Sequence, residues 1–351
     1  MAEVSKVKLA FYLITSVLTI TFIFYGYQIV YTPNILVDKA DQVFIVRNEY
    51  TYRQVQDDLA KGKFVNDFVS FSFVARLMNY DQEIKPGRYT LERNMTNIQA
   101  IRVLRAGIQE PVNITFTHVR LLSELGEKIT KNTGVTPEDF YEALDEFIET
   151  NKEGFTRENV IGMFLPNTYE VYYNISPKAL VERMHAEYKK FWNIERIEKA
   201  RKIGLTPIEV SILASIVQAE TVKQTEAPII AGLYINRLKQ EMALQADPTL
   251  VFAVGDFTLK RVLNEHKEVD SPYNTYSHTG LPPGPINMPR IAIIDAVLDY
   301  SDHKYIYMCA KEDFSGNHNF AVDLTEHSKN ARKYQTALSI EQAKGRAAKK
   351  K

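Results

Sequence analysis

The chain has 351 residues, 45% hydrophobic, 25% charged and 11% aromatic, a composition that excludes disorder over most of its length and leaves room for two domains. Forty-three Lys and Arg balance 43 Asp and Glu, so no global basic field draws the protein to nucleic acid, and no nucleic-acid partner is expected. The lone cysteine, Cys309, excludes an internal disulfide and any cysteine cluster for zinc or iron–sulfur.

Between Leu9 and Val37 there is no charged residue. The core of this run, Leu9–Val30, has 22 residues, about 33 Å as a helix at 1.5 Å per residue, which spans a bilayer. Phe11 and Tyr12 at one end and Tyr25, Tyr27 and Tyr31 at the other stand where an aromatic belt lies. The run is too long for a signal-peptide core and no small-x-small site follows it, so a retained single-pass anchor is expected. Lys6 and Lys8 before the span are matched by Lys39 and Arg47 after it, and the charge rule leaves orientation open.

Residues 31–41, with Pro33 and little pattern, predict a tether. A small α+β module is expected over 42–107, with short strands at Gln42–Val46 and Gly87–Leu91 and helical spacing in Thr51–Lys61 and Asp67–Met78. Thr96 predicts an N-cap for a helix ending at Ala106, with Gly107 in the C′ position. Beyond a strand at Val112–Thr117 the chain becomes mainly helical. Thr136–Pro137, Ser176–Pro177 and Thr206–Pro207 each pair a capping hydroxyl with a proline at the first helical position. Tyr305–Ala310 and Phe320–Val322 predict paired strands, and 336–351 a basic tail whose end, Gly345–Lys351, is expected to be disordered. The fold class is therefore α+β. The parts are an N-terminus over 1–8, a transmembrane helix over 9–30, the tether, the small module, a larger mixed helix/strand domain over 108–335, and the tail.

Glu209, three residues after Thr206, completes a capping box and fixes the phase of the helix from Pro207. In that phase the apolar stripe Leu213, Ile216, Val217 continues to Glu220, which places an acid at a core-facing position. Covering that face would favour the neutral carboxyl and suit it to general-acid work. The alternative is a surface glutamate on a last turn that has left the core.

The residues Leu213-Ala214-Ser215-Ile216-Val217-Gln218-Ala219-Glu220-Thr221, Tyr234-Ile235-Asn236-Arg237-Leu238, Leu244-Gln245-Ala246-Asp247-Pro248-Thr249, Tyr273-Asn274-Thr275-Tyr276 and Gly280–Ile286 form five ordered blocks. They resemble the catalytic region of the endolytic murein transglycosylases, the YceG-like family. The resemblance implies an N-terminal span, a small LysM-like module and a larger catalytic domain. It implies cleavage of peptidoglycan glycan strands between N-acetylmuramic acid and N-acetylglucosamine, leaving 1,6-anhydro ends and using no cofactor. It places the catalytic acid at Glu220. Family members often carry a second glutamate where this chain has Gln218, and often an aspartate where it has Asn167 in the Leu165–Tyr169 block. The implied location is the bacterial cytoplasmic membrane with the catalytic domain outside, and membrane peptidoglycan synthases are candidate partners.

Asn236, Arg237, Gln245, Asp247, Thr249, Asn274 and Tyr276 are the candidate substrate-binding residues, polar groups able to satisfy sugar hydroxyls and amides. Arg237 reads equally as a helix-surface charge and Tyr276 as a packing residue. A hydrolytic glycosidase needs a second carboxylate, for which Glu226, Asp247 and Asp256 are available. Glu226 otherwise reads as a solvated loop acid and Asp247, before Pro248, as an N-cap. A non-catalytic peptidoglycan-binding scaffold is the alternative from another class. His318 and His327 form no recognisable ligand pair, so no metal site is predicted.

Overall fold

The computed structural model describes residues 5–259 and 261–348. It is a mixed helix and strand architecture with one N-terminal apolar helix, α1 (Lys6–Tyr31). This helix has 26 residues, about 39 Å at 1.5 Å per residue, long and apolar enough to cross a bilayer. Its side chains are exposed along nearly the whole length.

The chain divides into two compact units. The first runs to Ile114 and takes back two later segments, Thr130–Val135 and Tyr169–Ser176, a return that linear order does not reveal. It holds β1 (Pro33–Ile35), β2 (Gln42–Val46), α2 (Tyr52–Lys61), α3 (Phe68–Leu77), β3 (Gly87–Leu91), β4 (Met95–Thr96) and α4 (Asn97–Ala106). β2 and β3 pair antiparallel from Gln42↔Leu91 to Val46↔Gly87. Period-two alternation sends Phe44, Val46, Tyr89 and Leu91 into the core, where Val55, Leu59, Phe71 and Leu104 meet them. Thr96 caps α4 with a full capping box, and Gly107 closes it at φ 74°, the left-handed conformation that glycine adopts without a Cβ penalty.

The expected tether over 31–41 is corrected here. β1 pairs antiparallel with β4, and Ile35 and Leu36 are fully buried. Residues too few to show a period are ordered by a partner some sixty positions away.

β5 (Val112–Phe116) pairs with a later strand, β6 (Asn167–Val171). In the second unit, α5 (Leu122–Ile129), α6 (Pro137–Thr150), α7 (Pro177–Phe191) and α8 (Ile194–Ile203) precede the central helix α9 (Pro207–Glu220). Thr206 and Glu209 form the capping box of α9, and Val210 to Val217 are all buried, so α9 is enclosed on every side until its last turn. Then follow α10 (Ala227–Lys239), α11 (Asp247–Val254), α12 (Ile291–Leu298), β7 (Tyr307–Ala310), β8 (His318–Ala321) and α13 (Leu324–Ala348). α10, α11 and α12 pack on or beside α9, and β7 and β8 pair antiparallel from Tyr307↔Ala321 to Ala310↔His318. α13 is helical through most of the segment expected as a basic tail. Residues 349–351 of that tail lie outside the described residues.

Candidate active site

The enclosure of α9 ends at Gln218, and Glu220 on the final turn sits at the boundary of two cavities in the second unit. The larger, about 760 Å³, is walled by Arg120, Gln218, Phe252, Phe257 and Asn287. The smaller, about 270 Å³, is lined by Tyr234, Arg237, Gln245, Tyr276 and His318. Glu220 and Asp247 belong to both. A chain-like ligand lying across the two would present its middle to these carboxyls.

Burial is the main influence on Glu220 and lifts its pKa from the usual 4.5 to about 7, since desolvation penalises the charged form. The Asp247 carboxylate raises it further, whereas the Tyr234 hydroxyl and the Arg237 cation oppose the rise. Tyr234 donates to Glu220 Oε1 at 2.9 Å. A carboxyl balanced near neutrality can hold a proton and can also accept one.

Asp247 is the first residue of α11, with Ala246 as the cap, so the N-cap reading of Asp247 is corrected. Its Oδ1 accepts from the Tyr276 hydroxyl at 2.6 Å, and the phenol's pKa is pushed up by burial and by this bond. Arg237 is buried, not a helix-surface charge. Its Nε donates to the Ile306 carbonyl at 2.6 Å and Nη1 to the Leu244 carbonyl at 2.8 Å. The Leu244 bond, with one from Nη1 to the Ala243 carbonyl at 3.1 Å, fixes the turn that carries Gln245 and Asp247 beside the cation. Gln245 itself sits at φ 52°, an uncommon conformation for a non-glycine residue, held by a backbone bond to the Thr275 carbonyl at 2.9 Å.

The structure thus gathers Glu220, Arg237, Gln245, Asp247 and Tyr276. The other three candidates have their side chains committed to the framework. Asn236 donates to the His303 and Tyr305 carbonyls. Thr249 is paired with Thr275 at 2.8 Å. Asn274 donates to the Lys267 and Val269 carbonyls. None of these three lines either cavity. Thr249 and Asn274 build the segments that carry Asp247 and Tyr276, and Asn236 ties α10 to the stretch before β7.

Gln218 clamps the other wall. Its Nε2 donates to Asn287 Oδ1 at 2.7 Å and to the Met288 carbonyl at 3.0 Å, and its Oε1 accepts from the Arg290 backbone at 2.8 Å. Ser215 adds bonds to Ile286 and Asn287. Ile286, Asn287 and Met288, at the end of the proline-rich loop, therefore wall one side of the large cavity, and a Cβ on Gly284 within that loop would overlap the Glu158 carbonyl oxygen.

Glu226 also departs from its solvated-loop reading. It is buried, and its carboxylate accepts the His318 backbone N–H at 2.9 Å and faces His318 Nδ1 at 3.0 Å. Sequence reasoning did not single out Tyr234 or His318 as site residues. Tyr234 stands in the same block as Asn236 and Arg237, with Asn236 the chemically more conspicuous residue, and His318 is 92 positions from Glu226.

A carboxyl between two cavities, set by a tyrosine and a second acid, defines a candidate acid–base site. Residues 44–333 match the YceG-like family, and the chain belongs to that family. It is 25% identical over 342 residues to the endolytic murein transglycosylase of Streptococcus pneumoniae (strain ATCC BAA-255 / R6), across 88% of this chain and 61% of that protein. The chain thus spans about three-fifths of the length of that relative. It is 29% identical over 265 residues to the endolytic murein transglycosylase of Bacillus subtilis (strain 168), covering 71% of this chain and 72% of the relative. A solved structure of a YceG-like protein from Listeria monocytogenes is similar at 24% identity and a TM-score of 0.49, over 82% of this chain and 98% of that one.

Proposed function

We propose that this protein is a lytic transglycosylase that cuts peptidoglycan glycan strands within the strand, between N-acetylmuramic acid and N-acetylglucosamine. The observation that carries the reading is Glu220, placed between two cavities with a pKa of about 7. The protonated carboxyl donates to the glycosidic oxygen as the C1–O bond breaks. The carboxylate so formed takes the proton of the muramic acid C6 hydroxyl as that oxygen attacks C1. A 1,6-anhydro end results and Glu220 regains its proton, so no water is consumed. One group serves both steps because its pKa lies near the operating pH.

The Asp247 carboxylate accepts from Tyr276 and, by raising the pKa of Glu220, favours the protonated acid. Arg237, Gln245 and Tyr276 in the smaller cavity bind sugar hydroxyls and amides, and Phe252 and Phe257 in the larger one offer apolar faces to the rings. The relatives' names support the substrate class. The α1 helix anchors the protein in the cytoplasmic membrane by a single pass, with residues from about 38 onward outside, where the wall lies. Residues 42–107 serve as a LysM-like module that keeps glycan nearby, and membrane peptidoglycan synthases are the partners that such a location supplies.

Digestion of purified sacculi by the full chain in detergent, with the products weighed, tests this. Products one water lighter than the hydrolytic ones support the proposal. Hydrated muramic acid ends would make the protein a muramidase with Asp247 as second carboxylate, and undigested sacculi would favour a binding scaffold.

A further inference from the structure

Three large apolar side chains stand in a row on the surface of the first unit. Val69, Phe73 and Leu77 are 81%, 58% and 70% exposed, and their four-residue spacing puts them on one face of α3. The opposite face, with Phe71, Val74 and Ala75, is buried in the core. Single exposed apolar residues are ordinary, but a continuous row on an otherwise well-packed helix marks an interaction surface.

The attachment of α3 identifies what covers it. Asn34 lies three residues beyond the end of α1, a reach of at most about 11 Å at 3.6 Å per residue. Its Nδ2 donates to the Asp67 carbonyl at 2.8 Å and its Oδ1 accepts the Asp67 N–H at 2.6 Å, at the cap of α3. The same Nδ2 reaches Asn97 Oδ1 at 2.7 Å. Asn97 Nδ2 then donates to the Ile29 carbonyl, in the last turn of α1, at 3.1 Å and to Ser70 Oγ at 3.2 Å. Asn34, Ser70 and Asn97 are all buried, and Ile29 packs on the core of the unit. The final turn of α1 and the first turn of α3 are therefore joined by a closed polar network, and α3 packs against α1. A helix that leaves a bilayer in this way carries α3 with it to the lipid surface. The exposed Arg76 beside the row supplies the cation that interfacial helices present to phosphate headgroups.

We propose that the Val69, Phe73 and Leu77 face of α3 lies in the interfacial layer of the bilayer that α1 spans, so that the first unit rests on the membrane at two points. The inference rests on α1 being a membrane span, and the test separates the two.

The full chain carrying Cys309→Ser is given one cysteine at a time, Phe73→Cys, Leu77→Cys, Asp57→Cys on the exposed face of α2, or Thr19→Cys within α1. Each is labelled with an environment-sensitive fluorophore and reconstituted in phosphatidylcholine and phosphatidylglycerol vesicles with brominated acyl chains. The proposal expects blue-shifted emission and bromine quenching at 73 and 77, quenching at 19, and neither effect at 57. Labels at 73 and 77 that behave like 57 while 19 is quenched would overturn it and leave the span intact. An unquenched label at 19 would remove the span and the inference together. Blue-shifted but unquenched labels at 73 and 77 would show a protein covering this face, a second copy if the shift fades on dilution into excess lipid, and would also overturn it.

Discussion

The Tyr234 hydroxyl donates to Glu220 Oε1 across 2.9 Å, from α10 to the last turn of α9. This bond opposes the effect of burial on the same carboxyl, because it favours the ionised form while desolvation favours the neutral one. Burial is the larger influence and the balance rests near 7.

Tyr234→Phe removes the hydroxyl and keeps the ring. With the opposing bond gone, the pKa of Glu220 rises, and the alkaline limb of the kcat/KM profile moves to higher pH. A pH–rate profile checks this, and an unchanged or downward limb would mean that Tyr234 does not tune the acid.

Asp247→Asn acts in the opposite direction. Its charge raises the pKa of Glu220, so its neutralisation brings the limb to lower pH. The reaction should still give anhydro ends, with a loss well short of that for the acid itself. Complete loss of turnover in a folded Asp247→Asn protein would show that this carboxylate takes part in the chemistry.

The same raised pKa links pH to stability. Between the usual 4.5 and about 7, Glu220 holds its proton in the folded chain and has lost it in the unfolded one. The unfolded state then binds fewer protons, so this group's contribution is full below 4.5, declines as pH rises, and is lost above about 7. Denaturant titrations of wild type and Glu220→Gln over that range should differ in slope, with the wild type losing more stability as pH rises. Parallel slopes would contradict the shift.

Gly284→Ala tests the packing of the loop that leads into Ile286, Asn287 and Met288 on the wall of the large cavity. The added Cβ would overlap the Glu158 carbonyl oxygen and stand 2.9 Å from the Tyr273 hydroxyl. The first contact is with backbone, which cannot turn aside, so a loss of about 1–3 kcal/mol or more is expected from overpacking. A thermal melt at the wild-type temperature would contradict so close an approach.

Local signals were the legible ones. Thr206 and Glu209 set the phase of α9, and that phase alone made Glu220 stand out as an acid in an apolar stripe. Thr96 and Gly107 gave α4 both its ends. What sequence reasoning missed depends on distant partners. Tyr276 meets Asp247 from 29 positions away, and His318 covers Glu226 from 92. Asn236 and Asn274 look like sugar-binding residues by type, yet backbone carbonyls of neighbouring loops consume their amides. Residues 31–41 have too little pattern to announce β1, which exists because β4 pairs with it.

The central claim is that Glu220 carries the proton in both steps, and Glu220→Gln tests it most directly. The amide keeps the volume and can still accept from Tyr234, but has no proton to transfer. General acid–base catalysis contributes about 10²–10⁴-fold, and with one residue serving as acid and base the loss in kcat should lie at the upper end or beyond. Glycan binding and the folded state should survive, since other residues make the ground-state contacts. Turnover of sacculi by the folded variant is the measurement. Loss of activity with glycan binding retained is the predicted result, and a folded Glu220→Gln protein that keeps more than a tenth of the wild-type rate would contradict the account.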